Sequence, residues 1–361
     1  MTRLLRTILL ALLILAVLLW VLAWNLTWHP EEREPVPVAC TPQAPVLIPG
    51  QALKVMTWNV QHLAGKRYVF WYDLEDGRGQ DERATSEDLA YNLDEVARVI
   101  RAEQPDIVLL QELDSGAKAS DYQDQLALLR ERVVDIYPCV AQAFNWKADF
   151  VPNSHIFGSV GRTLVTLSRY QIKQAERLQL PQSKSNPLSE LFQPRRALLA
   201  SYLPLLGGGP LAVINTQLDG HAQGNDIQLQ QIQTLSDVLD KLESQGTPWL
   251  IGGDFNLLPL GQYRRLKPEQ RGRYAPDSEL HVLWDKYPMI PSNAEASGAD
   301  RADWFTHFPN NPDLTAPDRT LDYLFHSPRI KRVAAEVRQA DTLQISDHLP
   351  LLARFLLPAT P

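Results

Sequence analysis

A layered α/β domain behind an N-terminal transmembrane helix is the architecture that this sequence of 361 residues predicts. Three observations point there. Residues 4–24 are almost wholly apolar, and about 20 helical residues suffice to cross a hydrocarbon core. Beyond residue 50, short apolar runs alternate with amphipathic stretches of helical spacing, the mark of strands interleaved with helices. Apolar residues make up 45% of the chain, ample for a core, and nothing after residue 50 reads as a linker.

Arg3 and Arg6 precede the apolar run, while Glu31, Glu32 and Glu34 follow it with only Arg33 among them. The positive-inside tendency keeps the N-terminus in the cytoplasm and exports the rest. The expected location is therefore single-pass, in a bacterial inner membrane with the domain on the periplasmic side. Trp20, Trp24 and Trp28 suit the far interface. A cleaved signal peptide competes, with Val21-Leu22-Ala23 as a tolerable cleavage site, but the run is long for such a segment and favours an anchor over residues 1–28. Six prolines between Pro30 and Pro49 make residues 29–52 an extended, semi-rigid spacer ahead of a domain over residues 53–358.

The first strand is expected at residues 53–57. Leu89, Leu93, Val96, Ala97 and Ile100 recur at helical spacing, and that helix should end before Pro105. A strand at 107–110 follows, then a helix marked by Tyr122, Leu126, Leu129 and Val133. Residues 162–168, 197–203 and 211–215 read as strands, and Ile232, Leu235, Leu239 and Leu242 as a third helix. Later strands fall at 249–251, 321–325 and 349–355. Three aromatic-rich loops are expected: Tyr68, Phe70, Trp71 and Tyr72; Phe144, Trp146, Phe150 and Phe157 with Lys147 and His155; and Trp304, Phe305 and Phe308 with His307. Such loops clamp a substrate, touch a bilayer, or fold back on the domain's own edge.

The formal net charge is −7. A non-specific nucleic-acid binder draws its affinity from neutralising phosphates, so this balance argues against, without excluding, DNA or RNA as a partner. Two cysteines, Cys40 and Cys139, are too few for a multi-cysteine zinc site or a disulfide scaffold. They either pair outside the cytoplasm or remain one spacer thiol and one buried thiol.

The chemistry gathers at strand ends. Trp249-Leu250-Ile251 runs into Gly252-Gly253-Asp254-Phe255-Asn256, where paired glycines end a buried strand and let backbone and ligand approach closely. Side chains two apart on an extended backbone point the same way, so Asp254 and Asn256 project together, one able to take a proton from water and the other to donate to a phosphoryl oxygen. An Asp capping the next turn is the plainer alternative. Similar endings recur in Thr57-Trp58-Asn59-Val60-Gln61, Leu110-Gln111-Glu112, Asn215-Thr216-Gln217, Leu321-Asp322-Tyr323 and Ser346-Asp347-His348.

Taken in this order, these motifs resemble the endonuclease/exonuclease/phosphatase superfamily of metal-dependent phosphoesterases, over roughly residues 54–356. The resemblance implies a four-layer α/β/β/α sandwich of two packed sheets with the site at one edge. It further implies a phosphodiester or phosphomonoester substrate and Mg²⁺, with Mn²⁺ as a substitute, held by Glu112, Asn59 and Asp347. Asp254 becomes the general base, Asn256 a phosphate donor, and His348 the stabiliser of phosphoryl charge, oriented by Asp322. Asn215, Gln217 and His221 are the implied substrate-binding residues.

Two departures stand out. The family presents Asn-Thr-His where this chain has Gln217, which donates a hydrogen bond but carries no charge; His221 is a possible substitute if its loop bends back. Many nuclease-like members place an acid where Gln61 stands. The reading is a membrane-anchored phosphoesterase, tilted by charge and anchor toward a lipid or small phosphodiester. An exported nuclease and an inactive binding module are the alternatives, and no protein partner is evident.

Overall fold

The computed structural model describes residues 2–220 and 226–359. Among them, in chain order, run the strands β1 (Arg33–Val36), β2 (Val38–Cys40), β3 (Ala52–Asn59), β4 (Ile107–Asp114), β5 (Cys139–Val151), β6 (Gly158–Ser168) and β7 (Gln174–Gln179). They continue with β8 (Ala197–Leu203), β9 (Leu211–Gln217), β10 (Trp249–Asp254), β11 (Met289–Ile290), β12 (Asp322–His326), β13 (Lys331–Val337) and β14 (Leu351–Leu356). One sheet has the order β1-β7-β8-β9-β10-β12-β11 and the other β13-β14-β3-β4-β6-β5-β2.

Each sheet is antiparallel except for one central pair. β3 and β4 are parallel and joined through the helix Ser86–Glu103; β9 and β10 are parallel and joined through the helix Ile227–Ser244. The first of these helices starts at Thr85, whose side chain accepts from the Asp88 N–H, a cap worth about 1 kcal/mol.

Period-two alternation divides the core. Leu53, Val55, Ile107, Leu109, Leu211, Val213, Leu250 and Leu324 meet between the sheets. Met56, Trp58, Val108 and Leu110 face outward to the helices Ser86–Glu103 and Gln125–Val133, and Ala212, Ile214, Trp249 and Ile251 face the helix Ile227–Ser244. The result is the expected α/β/β/α sandwich, and strands buried on both faces explain why these runs read as continuous apolar stretches. At Gly253 an added Cβ would lie 2.0 Å from the Thr216 carbonyl oxygen, so only glycine lets β9 and β10 pair here.

Three expectations are corrected and one open alternative is settled. The proline-rich segment is extended, but it is not free: β1 extends one sheet along β7, β2 extends the other along β5, and Leu47 is fully buried between the sheets. Cys40 and Cys139 are register partners of β2 and β5 and are joined as a disulfide. Phe144, Trp146 and Phe150 lie on β5 rather than in a loop, because Ala143, Asn145 and Ala148 alternate with them and turn inward. Tyr122 stands before its helix, exposed with φ +59°, and Asp124 caps the helix start.

The helix Thr2–Leu26 carries a span, Arg3–Leu26, of mean hydropathy 2.8, long and apolar enough to cross a membrane. The large apolar residues from Leu4 to Leu22 and Trp24 are exposed.

Candidate active site

The carboxyl ends of both parallel pairs open into one cleft of about 600 Å³. β3 and β4 bring Asn59 and Glu112 to it, and β9 and β10 bring Gln217 and Asp254. The loop ahead of β14 adds Asp347 and His348. That loop is fastened to β3: the Ser346 hydroxyl donates to the Asn59 carbonyl at 2.8 Å, and the Trp58 indole donates to the His348 carbonyl at 2.9 Å. Glu112 is turned into the cleft by a bulge, its φ of +62° falling where the β4–β6 register slips between Gln111 and Leu113. Asn256, just past β10, also has a left-handed backbone, φ +53°.

His348 Nδ1 lies 2.7 Å from Asp322 Oδ2, which leaves Nε2 3.8 Å from Asp254 Oδ2. Burial alone would lower the His348 pKa, but Asp322 and Asp254 hold it well above the ordinary histidine value. Asp254 Oδ2 accepts from Asn59 Nδ2 at 3.2 Å, Asn256 Nδ2 at 3.1 Å and Gln217 Nε2 at 3.4 Å. Burial, with the Asp322 and Glu112 charges, nonetheless raises it to about 6, against the pull of His348 and Asn59. Asp347 is pushed up to about 7, chiefly by burial. Glu112 behaves in the opposite way. Burial would raise it, but Arg162 at 3.2 Å and His62 at 3.9 Å, with a 2.6 Å hydrogen bond from Gln217, hold it well below the usual carboxylate range.

Gln217 therefore bridges the two carboxylates. Its Oε1 accepts from Asn145 at 3.0 Å and Arg196 at 2.7 Å, so its Nε2 is the atom facing Glu112 and Asp254. Asn256 uses both amide hydrogens on the Leu218 carbonyl and Asp254, and so positions the carboxylate. Asn59 turns Oδ1 to the Gln61 N–H at 3.0 Å. Asn215, expected to bind substrate, lies beneath the cleft: its amide donates to the Leu110 and Val165 carbonyls at 2.9 Å and accepts from Gln111 at 2.7 Å, tying the sheets together. His221 falls outside the described residues.

Several cleft residues escaped the sequence reading. These are Arg162, Arg196, Arg273 and Arg319, which line it beside Trp71, Tyr72 and Trp146, three aromatics the sequence had marked as able to clamp a substrate. Arg162 comes from β6, opposite Asp114 on β4, and no local motif marks it. His62, three residues after Asn59, was the one signal within reach. His307, named only for its aromatic loop, is stacked edge-on to His348 with ring centres 4.7 Å apart, and burial pushes its pKa well down.

Among the described residues, two groups bring three ligand atoms within 4.8 Å of one another: His307, Asp347 and His348, and Asp254, Asp322 and His348. Asp322 Oδ1 and His62 Nδ1 are buried without a hydrogen-bond partner among the described residues. A site rich in buried carboxylate and amide oxygens, two of its acids raised by burial, suits a hard divalent ion.

Among solved structures the chain is similar to an endonuclease/exonuclease/phosphatase from Beutenbergia cavernae DSM 12333, at 22% identity and TM-score 0.57, covering 85% of this chain and 72% of that one. TDP2 from C. elegans is similar at 18% identity and TM-score 0.52, covering 85% and 75%. D. rerio TDP2 complexed with a single-strand DNA product is similar at 17% identity and TM-score 0.51, covering 84% and 99%. At these identities the likeness establishes the fold. Comparison with curated proteins gives no match. The Endonuclease/Exonuclease/phosphatase family model matches residues 56–348, a stretch holding every cleft acid described above. The chain thus belongs to the endonuclease/exonuclease/phosphatase family and is a metal-dependent hydrolase of phosphoric ester bonds.

Proposed function

We propose that the chain is a Mg²⁺-dependent phosphodiesterase anchored in a membrane by residues 3–26, with its catalytic domain on the exported side and a lipid or small-molecule phosphodiester as substrate. The observation that carries the chemistry is His348, oriented by Asp322 at 2.7 Å, facing Asp254 at 3.8 Å inside a buried cleft. With a pKa of about 6, Asp254 is ionised at neutral pH yet basic enough to take a proton from an attacking water. Asn59, Asn256 and Gln217 fix its orientation. His348, kept protonated, turns Nε2 to the cleft as a donor to a phosphoryl oxygen. Glu112, Asn59 and Asp347 are the residues to hold Mg²⁺, which supplies Lewis-acid stabilisation of phosphoryl charge when bound.

The choice of substrate rests on charge. Each arginine lining the cleft has a carboxylate close by: Arg162 with Glu112 at 3.2 Å, Arg196 with Asp219 at 3.0 Å, Arg273 with Glu75 at 3.0 Å and Arg319 with Asp318 at 2.7 Å. Tracking a polynucleotide calls for cations free to neutralise successive phosphates. The nuclease reading has one observation in its favour, the likeness to a TDP2 solved with a DNA product.

The test uses the full chain in detergent with Mg²⁺, offered a chromogenic phosphodiester, supercoiled plasmid and phospholipid vesicles, with EDTA and Asp254→Ala as controls. Expected is turnover of the diester or lipid that both controls abolish. Preferential nicking of plasmid would overturn the substrate assignment, and EDTA-resistant turnover the metal assignment.

A further inference from the structure

The route by which the apolar helix joins the domain fixes which end of the sandwich meets the bilayer. Thr27, directly after the helix Thr2–Leu26, forms an antiparallel bridge with Ala148 on β5. From there the chain descends β5. The Trp28 ring lies 6.0 Å from the Phe144 ring, and after the excursion of β1 along β7, Cys40 pairs with Cys139 at the start of β5. A segment running antiparallel from Ala148 toward Cys139 was preceded by chain lying beyond Ala148, toward the Val151 end. That is the cleft end: Val151, Pro152, Asn153 and Ile156 line the cleft, and at about 3.3 Å per residue Val151 is roughly 10 Å from Ala148.

The junction is also built to hold its direction. The Thr27 hydroxyl donates to the Ala23 carbonyl at 2.9 Å, His29 stacks on Trp24 with ring centres 3.7 Å apart, and the Arg177 guanidinium sits 4.6 Å over the Trp28 ring. The disulfide then fastens the same segment to β5. Among the described residues, no free tether separates helix and sandwich.

At this end the connection between β5 and β6, residues 152–157, projects past the last strand pair, Val151 with Gly158. Its last residue, Phe157, directly before β6, is 62% exposed and packed edge-on against Phe150 at 5.0 Å. Leu188, in a short helix beside the same cleft wall, is also exposed.

We infer that the mouth of the cleft faces the surface of the bilayer that residues 3–26 cross, with Phe150 and Phe157 resting in its interfacial layer, so that phosphoesters of lipid headgroups in that leaflet enter the site directly. This rests on the anchored reading above and gives the domain an orientation. Aromatic rings at a bilayer surface sit at the headgroup level, the depth of the phosphoester the cleft would take.

Both native cysteines are in the disulfide, so a single introduced thiol labels uniquely. Full-length Phe157→Cys, carrying a solvatochromic dye, goes into nanodiscs of phosphatidylethanolamine and phosphatidylglycerol, with Leu206→Cys as the reference. Leu206 is 59% exposed in the β8–β9 turn, at the opposite end from Gln217. The expected result is a blue shift at position 157 and quenching there by brominated lipid, with neither at position 206. Retention of the chain with the discs is scored first: loss overturns the anchored reading and the orientation together, whereas retention with a water-exposed dye at 157 overturns the orientation alone. In a second measurement Phe157→Asp lowers turnover of phospholipid in the discs while leaving a soluble chromogenic diester at wild-type rate; equal loss on both substrates would overturn the proposal.

Discussion

Each sheet brings the same device to the cleft, a parallel strand pair joined by an 18-residue helix, yet the two carboxylates delivered differ in charge behaviour. Glu112, from β4, is held ionised, while Asp254, from β10, is pushed up to about 6. Burial pushes both acids up, and the difference lies in the charges around each, to which the antiparallel neighbour on the far side of each pair contributes. β6, beside β4, contributes Arg162, 3.2 Å from Glu112. β12, beside β10, contributes another acid, Asp322, the register partner of Asp254 itself. One topology thus yields a permanent anion suited to holding a cation and a titratable group suited to moving a proton. The charges set around each acid, with His348 beside Asp254 and His62 beside Glu112 as well as the flanking strands, decide which.

The sharpest way to break this contrast is to neutralise each acid in turn. Asp254→Asn removes the proposed base and should lower kcat by about 10³-fold with little change in the Mg²⁺ concentration giving half-maximal rate. Glu112→Gln should instead raise that Mg²⁺ requirement, by roughly tenfold or more, with part of the rate recovered at high metal. Metal titrations of both variants check this; the same profile from both would erase the division of labour.

Stability in EDTA should separate the acids by sign. Asp254 has a folded pKa near 6 against about 3.9 unfolded, so its ionised form is penalised: the penalty is absent below about pH 4, grows as pH rises, and is complete above about pH 6, at up to roughly 3 kcal/mol. Asp254→Asn removes it, and the variant should gain on the wild type across that window. Glu112 is depressed, so its contribution is present above its unfolded value of about 4.3 and is lost as pH falls below it. Glu112→Gln should therefore be the less stable protein at neutral pH, with the gap closing in acid. Chemical denaturation at successive pH values reads both trends.

How much of this was legible beforehand follows from where each signal resides. Continuous apolar runs marked β3, β4, β9 and β10 because strands buried on both faces leave that trace, and the acids at their ends stood in short motifs. The edges were harder to read. β1 and β2 lie in a proline-rich stretch whose composition suits a spacer equally well, and β5 carries aromatics on its outer face that imitate a binding loop. Arg162 was invisible because a partner supplied across a ladder has no fixed sequence distance from the acid it neutralises. Asn215 sat in the right motif, but whether its amide faced the cleft or the opposite sheet was a matter of packing.

Removing the neighbour, rather than the acid, tests the cause directly. Arg162→Gln leaves Glu112 buried without its cation and should cost about 3–5 kcal/mol in EDTA. Because a bound ion replaces the lost charge, Mg²⁺ should raise the Tm of this variant by more than that of the wild type. Equal shifts would mean that Arg162 does not set the charge of Glu112.

The smallest expected effect concerns the group that spans the contrast. Gln217 donates from one nitrogen to both Glu112, at 2.6 Å, and Asp254, at 3.4 Å, while its oxygen accepts from Asn145 and Arg196. An imidazole in its place has one nitrogen on each side, so Gln217→His can keep a donor toward the acids only by offering its other nitrogen to Asn145 and Arg196 as an acceptor. Neutral, it would serve both acids less well than the amide; protonated, it would neutralise them but lose its acceptor and face Arg196 with a like charge. Either way the two carboxylates become coupled through a titrating group. Roughly a tenfold change in kcat is expected, with a new inflection in the pH–rate profile near the ordinary histidine value of about 6.5. A profile superimposable on the wild type would show that the bridge between Glu112 and Asp254 does not link their behaviour, and the two halves of the site would then act independently.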